Sequence, residues 1–172
     1  MAEDLVAQAV SRLRIHLTDA PQRGLGTDSF AAAVLAGGLR TAVTGPAGQT
    51  ATTDMPRGIG GQASAPTPGW YMRAGIASCT ATVIALRAAE LGVGLDHLAV
   101  KVTSRSDDCG MFGIGNAPAG PLSASMEVEI RSAAAQPAVL EELVRWGIAH
   151  SPMADALTRA VPLEVTVRAA QS

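Results

Sequence analysis

Apolar residues recur along the chain in two periods, one typical of helices and the other typical of strands. The longest helical stretch is residues 70–91, which contain no proline and are apolar around nearly the whole helix circumference. Thr67 and Pro68 before it suit an N-cap and a first helical position, and Gly92 after it suits a left-handed C-cap. Because a helix that is apolar on most sides is buried on most sides, the pattern predicts a central helix that organises the rest of the chain.

The other periodic segments predict strands and helices on either side of this helix. Residues 122–130 give the clearest strand, since apolar and polar side chains alternate through it, which indicates an antiparallel sheet with one face on helices. Gly37 and Gly38 predict a hairpin turn. In chain order the pattern predicts a helix at 3–17, strands at 30–35, 39–44 and 49–53, the central helix, strands at 95–104 and 122–130, helices at 137–149 and 152–159, and a final strand at 161–167. Grouped strands of this kind are typical of an α+β fold.

Length and composition predict one α+β domain at residues 21–172, preceded by an N-terminal helical extension at residues 1–20. A chain of 172 residues is long enough to form a core without disulfides or a structural metal. A net charge of −2 and an aromatic content of 3% argue against a nucleic-acid partner. No apolar run reaches the roughly 18 residues of a membrane span, and the His and Cys spacings fit no zinc site. The acidic N-terminus predicts a cytoplasmic protein, and no cofactor is expected.

The two cysteines, Cys79 and Cys109, are the candidate reactive groups. Cys79 lies near the middle of the predicted central helix, beyond the first turn in which the helix dipole would stabilise a thiolate. Two interpretations therefore stay open for Cys79, a small buried hydrophobic residue or a redox-active thiol. Cys109 falls in the predicted loop at 106–121, where an incidental cysteine is favoured over a resolving one.

Several stretches of the sequence resemble the OsmC/Ohr family. Residues 53–61 read Thr-Asp-Met-Pro-Arg-Gly-Ile-Gly-Gly, residues 65–68 read Ala-Pro-Thr-Pro, and residues 74–79 read Ala-Gly-Ile-Ala-Ser-Cys. Residues 150–157 read His-Ser-Pro-Met-Ala-Asp-Ala-Leu and precede the final predicted strand. The resemblance extends over roughly residues 28–168. It implies an OsmC-like α+β fold, with an antiparallel sheet packed on a long central helix and an intertwined homodimer.

The resemblance also implies a set of site residues. Family members reduce organic hydroperoxides or hydrogen peroxide with a cysteine in the central helix, and Cys79 matches that cysteine. A second cysteine would fall at Ser151, and an activating glutamate would fall near Gly69, so both groups are missing. Arg40 is the candidate for the activating arginine. The candidate catalytic residues are therefore Cys79, Arg40 and Ser151. Ser151 with Pro152 is expected mainly to cap the following helix, and also to hydrogen-bond the thiol.

Two functions remain in competition at this point. The first is a peroxide-stress protein, a single-cysteine thiol-dependent hydroperoxide reductase that uses Cys79 and an external thiol reductant. The second is a non-catalytic OsmC-like dimer that binds an apolar small molecule or a partner protein. Retention of Cys79 favours the first function, whereas Gly69 and Ser151 favour the second.

Overall fold

A computed structural model describes residues 2–170 of the protein. In that part of the chain the strands fall in two groups between helices, in the order that the sequence pattern predicts up to residue 159, apart from an additional short helix at Asp108–Met111. The helices are α1 (Ala2–Asp19), α2 (Pro68–Glu90), α3 (Asp108–Met111), α4 (Pro137–Ala149) and α5 (Pro152–Thr158). The strands are β1 (Ala32–Leu35), β2 (Thr41–Thr44), β3 (Thr50–Thr53), β4 (His97–Arg105) and β5 (Ser123–Arg131). Short 3-10 turns lie at Pro21–Gly24 and Arg57–Ile59.

Helix α2 has 23 residues, and the helices α1, α4 and α5 and the strand β4 all pack against it. Its N-terminus is capped as the sequence predicts, because the Thr67 hydroxyl accepts a hydrogen bond from the backbone N–H of Trp70 at 3.2 Å. After α2, Gly92 adopts φ +67°, which ends the helix in the left-handed region.

The prediction that α2 is buried on most sides is wrong for this protomer. One stripe of α2 is buried, and Trp70 and Leu86 on other faces are 48% and 39% exposed. The buried stripe consists of Ile76, Thr80, Ile84 and Ala88. These positions are spaced four residues apart, so they share the face that packs on α4 and α5. The remaining apolar surface of α2 lacks enough neighbours within one chain to cover it.

The strands form two separate antiparallel sheets. Strands β1, β2 and β3 make a meander in which Val43 pairs with Ala33 on one side and with Ala51 on the other. Strands β4 and β5 pair along nine residues, with Val100 opposite Val128. Among the described elements, the extensive contacts between sheet and helices are those of the β4–β5 sheet with α2 and α4. The expectation of a sheet packed on the long helix therefore holds for β4–β5 and not for the meander.

Residues 161–167 form no strand in the described chain, so the prediction of a final strand there is wrong for a single protomer. The segment nevertheless keeps an alternating pattern, and its apolar side chains are exposed: Val161 by 52%, Leu163 by 87%, Val165 by 75% and Val167 by 81%. Alternation specifies which side chains share a face, but a strand also needs a neighbouring strand for its backbone groups. The predicted loop at 106–121 likewise contains the short helix α3.

The protomer exposes far more surface than a folded monomer of its size. Its accessible surface is 12,496 Å², against about 7,900 Å² expected for a monomer of 17.5 kDa. The buried apolar side chains of the described chain are Ile76, Ile84, Ala88, Leu140 and Leu143. A core this small leaves much of the apolar surface of one protomer uncovered. Among residues 2–170, no helix combines the length and hydropathy that crossing a bilayer requires.

Candidate functional site

Cys79 lies on α2 as a free, half-buried thiol. Successive residues of a helix are about 100° apart around its axis, so Cys79 sits beside the buried stripe and not within it. Thr80, the next residue, is the one that points into the contact with α5. Among the described residues, no hydrogen bond involves the Cys79 sulfur. Cys79 is therefore neither a fully buried packing residue nor a thiol held by a polar partner in the protomer.

Ser151 forms a hydrogen bond with Thr80, a neighbour of Cys79. The Thr80 hydroxyl donates to Ser151 Oγ at 3.0 Å, and both side chains are 0% exposed. Ser151 Oγ also accepts a hydrogen bond from the backbone N–H of Ala154 at 3.4 Å, which caps the N-terminus of α5. The predicted cap at Ser151 is thus confirmed, and the same side chain joins α2 to α5 through Thr80.

Arg40 lies in the turn between β1 and β2 and is exposed. The turn follows Gly37 and Gly38, whose φ angles of +104° and +56° favour glycine. Because the meander makes no extensive contact with α2 among the described residues, one protomer does not bring Arg40 to Cys79.

Gly69, the position at which an activating carboxylate was expected, lies beside Arg73, which is not the arginine predicted for the site. A Cβ atom added to Gly69 would lie 3.6 Å from Arg73 Nη1. The Arg73 guanidinium also donates to Ser104 Oγ at 3.3 Å, which ties the first turns of α2 to β4. Arg73 was not among the site residues predicted from the sequence. The available signal was the spacing of four residues between positions 69 and 73, which places both on one helix face.

Asp54 is a second residue that sequence analysis missed. It is 1% exposed, and its carboxylate holds the loop that leads into α2. Oδ1 accepts a hydrogen bond from the N–H of Met55 at 2.8 Å, and Oδ2 accepts bonds from the N–H of Gln62 at 3.2 Å and of Ser64 at 3.0 Å. The Ser64 hydroxyl donates to Oδ2 as well, at 2.8 Å. The backbone and side-chain hydrogen bonds from Ser64 are the main causes of a lowered pKa for Asp54.

The same loop depends on a close backbone approach at Gly61. A Cβ atom at this position would lie 1.9 Å from the carbonyl oxygen of Met55, so only glycine fits there. The hydrogen bonds to Asp54 and this close contact between Gly61 and Met55 therefore both hold the loop that precedes α2. The signal in the sequence was an acidic residue followed by a glycine-rich run.

Cys109 is exposed on α3, where its backbone N–H donates to Asp107 Oδ1 at 2.9 Å. Among the described elements, α3 makes no extensive contact with α2, so the protomer does not assemble the two cysteines into one site. Within residues 2–170 there is also no group of three or more His, Cys, Asp or Glu side chains that could hold a metal ion.

Comparisons with known proteins agree with this geometry. Residues 61–166 match the family model described as OsmC-like protein. An OsmC-like protein from Mycoplasma pneumoniae has a similar structure, with a TM-score of 0.65, 18% identity, and coverage of 78% of this chain and 89% of that one. An organic hydroperoxide resistance protein OsmC from Legionella pneumophila gives a TM-score of 0.58 at 18% identity, covering 77% and 90% of the two chains. The organic hydroperoxide resistance protein OhrB of Bacillus subtilis gives 0.51 at 18% identity, covering 76% and 90%. No curated protein sequence matches significantly.

Proposed function

The chain belongs to the OsmC-like protein family, a family related to peroxide-stress proteins, and from this membership we propose that it is a thiol-dependent hydroperoxide reductase with Cys79 as its only catalytic thiol. The observation that carries the proposal is the contrast between two positions. Cys79 is a free, half-exposed thiol on α2, whereas the position of a second thiol holds a fully buried Ser151. No disulfide can form between these positions, and Cys109 is not brought to Cys79 within the protomer, so the proposed reductant is an external thiol.

The chemistry proceeds in balanced steps. The Cys79 thiolate attacks one oxygen of the hydroperoxide, the O–O bond breaks, and the alkoxide takes a proton and leaves as the alcohol, while Cys79 becomes a sulfenic acid. An external thiol then condenses with the sulfenic acid, which releases water and forms a mixed disulfide. A second external thiol attacks that disulfide, regenerates Cys79 and leaves as the external disulfide.

The working unit in this proposal is a homodimer. The protomer exposes about 4,600 Å² more than a monomer of its mass should, so two copies together have about 9,200 Å² of excess surface, more than the roughly 2,000–5,000 Å² in total that obligate dimers commonly bury. The exposed alternating segment 161–167 and the meander, with Val34 68% exposed, are surfaces that a second copy would cover. In such a dimer Arg40 of the partner subunit reaches Cys79, which no contact within one protomer allows. Sedimentation of the purified chain as a dimer is the expected result.

A second candidate function is a non-catalytic dimer that binds an apolar small molecule or a partner protein. Two observations favour it. Gly69 provides no carboxylate, and Ser151 is engaged in a buried bond with Thr80. This function predicts that Cys79 does not react with peroxide in the folded protein.

A sulfenic-acid trap distinguishes the two functions. The wild-type protein is mixed with cumene hydroperoxide in the presence of dimedone, beside Cys79→Ser and Cys109→Ser variants. We expect rapid labelling of the wild type and of Cys109→Ser, and none of Cys79→Ser. With an added dithiol, the same two proteins should consume peroxide continuously. Absence of labelling at millimolar peroxide, or labelling at Cys109 alone, would remove the reductase from consideration.

A further inference from the structure

The first turn of α5 contacts α2 at two points that lie on either side of Cys79. At one point Ser151, the cap of α5, accepts the hydrogen bond from Thr80 at 3.0 Å. At the other point the methyl group of Met153 packs on Gly75, where an added Cβ atom would lie 3.3 Å from Met153 Cε. Met153 therefore occupies the space that the absence of a side chain at Gly75 leaves open.

The helical rotation places Cys79 between these two contacts. Gly75 and Cys79 are four residues apart, so their directions differ by about 40° around the α2 axis, and Cβ atoms at this spacing lie about 5–6 Å apart. Thr80 points about 100° further round in the same sense. Because α5 contacts α2 at both Gly75 and Thr80, its first turn spans the sector into which Cys79 points. This position accounts for the half-buried state of the thiol within one protomer.

The two side chains that flank Cys79 differ in how firmly they are held. Ser151 is 0% exposed and is fixed by hydrogen bonds with Thr80 and with the backbone N–H of Ala154. Met153 is 40% exposed, so packing holds only part of its side chain. Methionine is unbranched and has three rotatable bonds, so its thioether can move aside for a narrow reagent and obstruct a wide one. Met153 is therefore the movable part of the cover over the thiol.

We propose that Met153 is the specificity-determining residue of the Cys79 site and limits the width of the hydroperoxide that reaches the thiol. This inference rests on the reductase function proposed above. Hydrogen peroxide passes beside the thioether, whereas a hydroperoxide with bulky groups on the carbon next to its oxygen must displace it. Truncation of Met153 to alanine should favour the wider substrate by about tenfold or more, because one methylene of pocket space commonly gives a discrimination of about 10–200-fold.

The test compares sulfenic-acid formation by cumene hydroperoxide, which carries a phenyl ring and two methyl groups on its reactive carbon, with that by hydrogen peroxide. The variants are Met153→Ala, the volume-conserving Met153→Leu and the matched control Met111→Ala. Met111 is 49% exposed and lies on α3, which makes no extensive contact with α2 among the described elements. We expect the ratio of the cumene rate to the hydrogen peroxide rate to rise about tenfold in Met153→Ala alone. A general loss of stability or of thiol reactivity cancels in this ratio.

Alkylation of Cys79 separates this inference from the reductase function, because it needs no peroxide. In a Cys109→Ser background Cys79 is the remaining thiol, and its rates with iodoacetamide and with the wider N-phenylmaleimide are compared. A ratio that rises for the wider reagent in Met153→Ala supports the role of Met153 even where no peroxide is consumed. Ratios that Met153→Ala leaves unchanged overturn the inference, as does an equal rise in Met111→Ala. A rise with the alkylating reagents alone, in a protein that does consume peroxide, also overturns it.

Discussion

Replacement of Ser151 by alanine tests whether this residue is structural or catalytic. Ser151→Ala removes the cap of α5, which costs about 1 kcal/mol. It also leaves the buried Thr80 hydroxyl without the acceptor that lies 3.0 Å away, which costs about 1–3 kcal/mol. The free energy of unfolding should therefore fall by about 2–4 kcal/mol. With a urea m-value of about 2 kcal/mol/M, the midpoint should fall by about 1–2 M.

The double variant isolates the bond between the two hydroxyls. Thr80→Val in the Ser151→Ala background removes the stranded donor with little change of shape, so part of the stability should return and leave mainly the loss of the cap. Urea unfolding is followed by circular dichroism at one protomer concentration, because the stability of a dimer depends on concentration. Dimedone labelling of Cys79 in Ser151→Ala should keep the wild-type rate.

Two results would refute this reasoning. A loss below about 0.5 kcal/mol in Ser151→Ala would mean that neither the cap nor the buried bond stabilises the fold. A labelling rate at least tenfold slower, in a variant that is still folded, would show that Ser151 acts on the thiol.

Two further predictions concern the residues that sequence analysis did not assign. Gly69→Glu places a carboxylate beside Arg73 Nη1 in the first turn of α2, where a negative charge is stabilising, so its urea midpoint should exceed that of Gly69→Gln. The glutamine gains only helix propensity, and equal midpoints would contradict this prediction. The pKa of Asp54 in the folded protein lies below its usual value of 3.8. The ionised carboxylate therefore contributes its full stabilisation at pH values above 3.8, and this stabilisation is lost as the pH falls through the lower, folded-state pKa. Wild-type urea midpoints should therefore fall more steeply below about pH 4 than those of Asp54→Asn, and parallel profiles would exclude this role.

The sequence by itself determined the elements whose signals are local. Thr67 and Pro68 predict the start of α2, and residues 137–149 carry a helical period that the structure shows over the same range. Alternation at 122–130 predicts β5 to within a residue at each end. Caps, prolines and periodicity act over a few residues, so they can be read without the fold. The family was likewise visible in short motifs, and the match at residues 61–166 confirmed it.

The tertiary structure decided which side chains meet. Cys79 and Thr80 are neighbours in sequence, but their side chains point about 100° apart around the helix axis. Thr80 is therefore the residue that hydrogen-bonds Ser151, which is 71 positions away in the chain. The hydrogen bond from Arg73 to Ser104, 31 residues away, likewise depends on how α2 packs on β4. Residues 161–167 have the pattern of a strand without a neighbouring strand in the protomer. A local pattern fixes which residues share a face, whereas the partner of that face is fixed by long-range packing.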